Sequence, residues 1–167
     1  MTPAELLIDS FGRIAEGVHD VVDGLDDGQL AHRPGPEANP VGWLVWHLLR
    51  VQDDHVADVA GTEQVWTAQG FADRFGLPFE AADTGYGHSS EAVGRVRVDA
   101  GSLQEYAAAV HQQSVRFVEG LTAEDLDRVV DDRWDPPVTL GVRLVSVVGD
   151  DTQHLGQAAY VRGLLGA

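Results

Sequence analysis

Asp150 and His154 stand four residues apart in an apolar stretch near the end of the chain, and a further apolar-flanked histidine, His47, stands far upstream. On a helix turning about 100° per residue, positions four apart lie roughly 40° from each other, so this pair projects from adjacent turns of one face. One cation can be gripped between them. His47, from another helix, completes a set of two imidazoles and one carboxylate, which suits Zn²⁺, Fe²⁺ or a similar divalent ion and leaves positions open for water or substrate. Asp151 offers the same carboxylate chemistry at a spacing of three, and spacing does not choose between the two. A second reading needs no ion: His47 is a core histidine bonded to a neighbouring polar group, with Asp150 as its ion-pair partner.

The side chains meet only if two helices bring them to one level. Four long helices are expected, near residues 3 to 24, 40 to 60, 102 to 120 and 139 to 165. The first opens with Thr2, Pro3 and Glu5, a capping box with proline at the first helical position, and continues through Leu7, Phe11, Ile14, Val18, Val22 and Leu25. The second takes Asn39 as cap and Pro40 as first residue, and is apolar nearly all round from Val41 to Leu49, the mark of a helix buried on most sides. Ser102 and Glu105 read as a capping box for the third, and Thr139 as the cap of the last. Residues 62 to 100, broken by five glycines and a proline but carrying aromatics, form a long packed connection with room for one short helix. His47 lies about 10 Å into its helix and His154 about 20 Å from the chain end, a mismatch that closes if the last turn or two frays. On the second helix Leu44, Val51 and Asp54 share the face of His47, while His55 is about 80° away. With no internal repeat, the expected fold is all-α: a single domain, 1–167, forming one antiparallel four-helix bundle.

Composition excludes several functions. Cysteine is absent, which removes disulfides, thiolate ligands and a cysteine nucleophile together, so any thiol chemistry must import its sulfur. The net charge of −16, with arginine supplying all 11 basic side chains, repels nucleic acid and anionic membranes. No apolar run reaches the roughly 18 residues of a membrane span, and the N-terminus lacks the pattern of a signal peptide, so a cytoplasmic location is expected.

The run Asn39-Pro-Val-Gly-Trp-Leu-Val-Trp-His47-Leu, followed by Asp150-Asp-Thr-Gln-His154-Leu-Gly-Gln157-Ala-Ala-Tyr160-Val-Arg162-Gly, resembles the DinB-like superfamily of four-helix metalloproteins over nearly the whole chain. That superfamily includes mycothiol-dependent maleylpyruvate isomerase and bacillithiol transferases. The resemblance implies a divalent ion, zinc first and nickel, iron or manganese after it, on His47, Asp150 and His154. Many members carry histidine at the first of the last two positions and the isomerase type carries a carboxylate; Asp150 follows the latter, one methylene shorter than glutamate. The implied activity is a metal-dependent thiol S-transferase joining a low-molecular-weight thiol, mycothiol, to an electrophilic small molecule, and the lysine-free composition fits an actinobacterial source. The same ligands also serve a metal-dependent hydrolase with His55 or Asp54 as base, or a non-catalytic, homodimeric stress-response module. Around the site, Gln157 is placed to orient Asp150. Tyr160 reads as structural, Arg162 as an ion-pairing surface residue, and His88 as a solvated loop histidine, with a place at a substrate mouth as its alternative.

Overall fold

The first helix, α1 (Pro3–Val22), starts where its residues dictate: Thr2 Oγ1 accepts the Glu5 N–H at 3.1 Å, and the Glu5 carboxylate accepts the Thr2 N–H at 2.8 Å. The computed structural model describes residues 1–166. A short turn, α2 (Asp27–Leu30), leads to α3 (Val41–Ala60). Here Pro40 is the cap rather than the first helical residue; its extended backbone leaves Asn39 one position too early to cap. After α3 come three short helices, α4 (Val65–Ala68), α5 (Phe71–Phe75) and α6 (Ser90–Val93), where one was expected. Then follow α7 (Ala100–Val118), a 3₁₀ turn at Asp125–Asp127, an antiparallel pair β1 (Val129–Asp131) and β2 (Val138–Thr139), and α8 (Leu140–Leu165). The expected box at Ser102 is replaced by an earlier cap: the Asp99 carboxylate accepts the Ser102 N–H at 2.8 Å, starting α7 two residues sooner, and Glu105 pairs with Arg74 instead.

One hydrophobic cluster joins the four long helices, with Phe11 and Ile14 from α1, Leu44 and Leu48 from α3, Leu103 and Val110 from α7, and Leu144 and Val147 from α8. The bundle is not antiparallel throughout. Leu155 closes on Gly17 and Arg162 reaches Val21, so α8 runs parallel to α1; Asp53 meets Tyr106 and Thr62 meets Gln113, so α7 runs parallel to α3. A parallel neighbour needs a crossover as long as the helix, and residues 61–99 supply it. α8 stays helical to Leu165, so no fraying is needed to level its histidine with that of α3. No helix among the described residues is long and apolar enough to cross a membrane.

The crossover is pinned by two charged residues inside α3. Asp53 accepts the N–H groups of Val65 and Trp66 at 2.8 Å each, capping α4 from a distance, and the Tyr106 hydroxyl at 2.8 Å. Arg50, 0% exposed, donates to the Gln64 side chain at 2.8 Å and to the carbonyls of Ala81 and Asp83 at 3.3 Å. Each hydrogen bond replaces one that water would otherwise supply, which is what permits irregular backbone to lie against the core.

Candidate metal centre

The two long helices α3 and α8 run antiparallel and bring His47, Asp150 and His154 together. One donor atom from each lies within 4.8 Å of the other two. A tetrahedral zinc site with bonds of about 2.1 Å spaces its donors by roughly 3.4 Å, so each pair has at most about 1.4 Å to close on an ion. Asp151 does not join them; it is fully buried on the core face of α8, so the choice left open by spacing falls to Asp150.

Both imidazoles are held in one tautomer. His47 Nδ1 lies 2.5 Å from the Thr84 carbonyl and His154 Nδ1 lies 3.0 Å from the Asp150 carbonyl. A carbonyl only accepts, so each Nδ1 carries the proton and each neutral ring keeps its lone pair on Nε2. Burial depresses the pKa of His47 and favours that neutral form. The Trp43 indole stacks on His47 at a centroid distance of 4.6 Å, and the His154 ring meets His47 edge-on at 4.7 Å. Asp150 pairs with His154 rather than with His47: its Oδ2 is 3.4 Å from His154 Nδ1, and this neighbour holds Asp150 below the usual aspartate value while raising His154. That oxygen is nevertheless buried and makes no hydrogen bond. An unbonded buried carboxylate oxygen and two imidazoles, each with Nδ1 engaged by a carbonyl, form a donor set that fits a divalent cation.

The Thr84 carbonyl reaches His47 only because the next residue is Gly85. Its φ of +89° is unfavourable for any side chain, and a Cβ there would stand 2.9 Å from the Trp46 ring and 3.0 Å from His47 Nδ1. Asp83 fixes the turn, accepting the Gly85 N–H at 2.8 Å through Oδ1. His88 is not a solvated loop residue and does not line the cleft described below. Its side chain is inserted between Trp46 and Phe79, where Nδ1 accepts from Trp43 Nε1 at 3.2 Å and Nε2 donates to Asp83 Oδ2 at 3.0 Å. Gln157 and Tyr160 are exposed and Gln157 does not touch Asp150. Among the described residues Arg162 forms no ion pair; it donates to the carbonyls of Val21 at 3.0 Å and Asp23 at 2.8 Å, satisfying the open C-terminal end of α1.

His47 and Asp150 border a cleft of about 560 Å³ that extends along the seam of α3 and α8. Its floor is apolar, with Val51 and Val147, and its rim carries Tyr86 and Trp134, 91% and 66% exposed. At the far end Arg143 Nη1 donates to His55 Nδ1 at 2.9 Å. Sequence reasoning missed Arg143, although it stands seven residues before Asp150 and so on nearly the same helical face. It also missed Asp131 at the end of β1 and Arg133 and Trp134 in the segment between the two strands, which no helical periodicity signals.

The sequence profile of the mycothiol-S-transferase family matches residues 7–167. The chain belongs to this DinB-like family. A crystal structure of a conserved protein from Enterococcus faecalis matches with a TM-score of 0.91 and 30% sequence identity, over 100% of this chain and 99% of that one. Among curated proteins, none matches. The match over the whole chain makes the long crossover part of the shared fold.

Proposed function

We propose that this family member is a divalent-metal-dependent S-transferase of the cytoplasm, joining a low-molecular-weight thiol, mycothiol by kinship, to an electrophilic small molecule, with His47, Asp150 and His154 as the metal ligands. The observation that carries the reading is the convergence of those three donors, both imidazoles preset, at the wall of an open cleft. The absence of cysteine agrees with it, since the attacking sulfur then belongs to a cosubstrate.

A bound divalent cation supplies Lewis acidity, which lowers the pKa of a thiol and makes thiolate available at neutral pH. Two neutral imidazoles and one carboxylate contribute a single negative charge, so the ligand set does not cancel a dication's pull on an anionic sulfur. The Thr84 carbonyl and the Trp43 ring keep His47 from turning. Val51 and Val147 offer the acceptor an apolar bed, and the cleft leaves a path for the thiol proton to reach solvent. In a substitution the carbon–sulfur bond forms as the leaving group departs with its bonding pair.

The hydrolase reading loses one of its two bases, His55, and keeps Asp54, which borders the cleft. An arginine N–H cannot accept, so it occupies the Nδ1 lone pair of His55 and leaves the proton on the other nitrogen.

The test is turnover by zinc-loaded protein of mycothiol with 1-chloro-2,4-dinitrobenzene, alongside metal analysis of tag-free protein. Conjugation is expected, and His47→Ala and His154→Ala are expected to lose bound metal and activity together. Thiol-independent ester hydrolysis, with no rate gained from any thiol, would overturn the proposal.

A further inference from the structure

The cleft has a second polar end that the proposed reaction leaves unused. Arg143 lies about 10 Å down the axis of α8 from Asp150, on nearly the same face, with Val147 between them and Val51 of α3 opposite. Its side chain is 17% exposed and makes two contacts: Nη1 to His55 Nδ1 at 2.9 Å and Nη2 to Asp131 Oδ2 at 3.3 Å. A guanidinium carries five N–H donors, so three are unspent. His55 accepts as a neutral ring and brings no countercharge. Asp131 brings one but shares it, because Arg133 holds that carboxylate in a two-pronged grip, Nε at 2.9 Å and Nη2 at 2.8 Å, and adds its backbone N–H at 3.1 Å. The longer bond is the one to Arg143, whose charge is therefore only partly neutralised. Of the two other acids bordering the cleft, Asp150 lies at the opposite end and Asp54 turns one oxygen to the Gln64 amide at 2.7 Å.

We infer that Arg143, propped by His55 and Asp131, is a carboxylate-binding subsite that anchors the acid group of a substrate whose reacting atom lies at the His47, Asp150 and His154 end. Val51 and Val147 lie under the carbon skeleton between the two ends. The identity of the reaction rests on the transferase reading above; the subsite itself does not. The acid group belongs to the electrophile or to the thiol, which present the same oxygens to a guanidinium.

Binding is measured first, by calorimetry on metal-free and on zinc-loaded protein, with 3,5-dinitrobenzoate and its neutral methyl ester as probes. The acid is expected to bind about tenfold tighter than the ester with or without zinc, which separates Arg143 from carboxylate ligation of the ion. Arg143→Gln is expected to erase that preference and Arg143→Lys to keep part of it. Asp131→Asn is the decisive variant: it frees the guanidinium, so acid binding is expected to tighten severalfold while ester binding stays put. A purely structural role for the cluster predicts the reverse, Asp131→Asn and Arg143→Gln both weakening acid and ester alike. That result, or equal binding of acid and ester by the native protein, would overturn the inference. Turnover then locates the acid group, comparing 4-chloro-3,5-dinitrobenzoate with its methyl ester, and N-acetylcysteine with its amide. An Arg143-dependent KM preference on the first pair assigns it to the electrophile, and on the second to the thiol. Acid-selective binding without any conjugation sinks the transferase reading alone; conjugation without acid selectivity sinks the subsite alone.

Discussion

Removing Asp53 tests how the crossover holds the candidate metal centre in place. In Asp53→Ala the N–H groups of Val65 and Trp66 and the Tyr106 hydroxyl lose their acceptor, and Arg50, fully buried 3.6 Å away, loses its nearest countercharge. Breaking a buried charge pair by deleting one partner costs about 3–5 kcal/mol, most of it the penalty on the group left behind. Against a total stability on the order of 5–15 kcal/mol, that is a large share. The damage is local in its second effect: Arg50 also holds the carbonyls of Ala81 and Asp83, next to Thr84, the acceptor that fixes His47. Loosening that acceptor is expected to lower zinc affinity by about 10–100-fold, the usual effect of losing a partner to a ligating histidine. Urea unfolding gives the first number and competition with a chelator the second. The double variant Asp53→Ala/Arg50→Met is expected to cost less than the two single changes combined, because neither leaves an unpaired charge in the other's absence. A loss under about 1 kcal/mol in Asp53→Ala, with zinc affinity unchanged, would refute the anchoring role.

Four further outcomes follow from single contacts. Gly85→Ala places a methyl group against Trp46 and His47 at a positive φ, and is expected to destabilise by about 1–2 kcal/mol and weaken zinc binding, read in the same two assays. Asp150→Glu keeps the charge and reaches one methylene further, so metal stoichiometry and conjugation rate are expected to stay within a few-fold of native or improve. Asp151 buries two carboxylate oxygens with no hydrogen bond, so Asp151→Val, which removes both, is expected to raise the unfolding midpoint, by about 1–3 kcal/mol in stability. Asp99→Ala removes the α7 cap and is expected to cost about 1 kcal/mol at neutral pH. Its hydrogen bonds to Ser102 depress the Asp99 pKa, so the cap's contribution is full above the ordinary aspartate value and is lost as pH falls through the lowered folded value. The gap between native and variant therefore closes in acid; a gap independent of pH would count against a charged cap.

What the sequence made legible was whatever a regular helix carries. Thr2 with Glu5, and Thr139, act within three residues of themselves, so their caps can be read without knowing the fold. Ser102 shows the limit of such local patterns, because Asp99 stands at the capping distance from it and spacing does not rank the two. His47, Asp150 and His154 sit on helices whose faces follow from counting. The groups that orient His47 do not, since a backbone carbonyl at Thr84 has no residue signature and depends on a crossover pinned by Arg50 and Asp53 from another element. The pinning pair carries its own sign in the sequence, two charged residues three apart on a helix otherwise buried on most sides, but nothing local names the backbone they hold.

The far end of the cleft marks where counting could have gone further. Arg143, Val147, Asp150 and His154 fall on one stripe of α8, so a single helix face carries a cation, an apolar step and two metal-type donors in order. Opposite it, α3 presents His55, Val51 and His47 in the matching antiparallel order, which is why each polar group finds a polar partner and each valine lies over the floor. Such matched polar ends across an apolar middle are costly in a bundle that only needs to fold, because each buried polar group must keep its hydrogen bonds. They are economical in a seam that must hold a molecule with one reactive end and one charged end, and that is the physical ground on which the two ends belong to a single site.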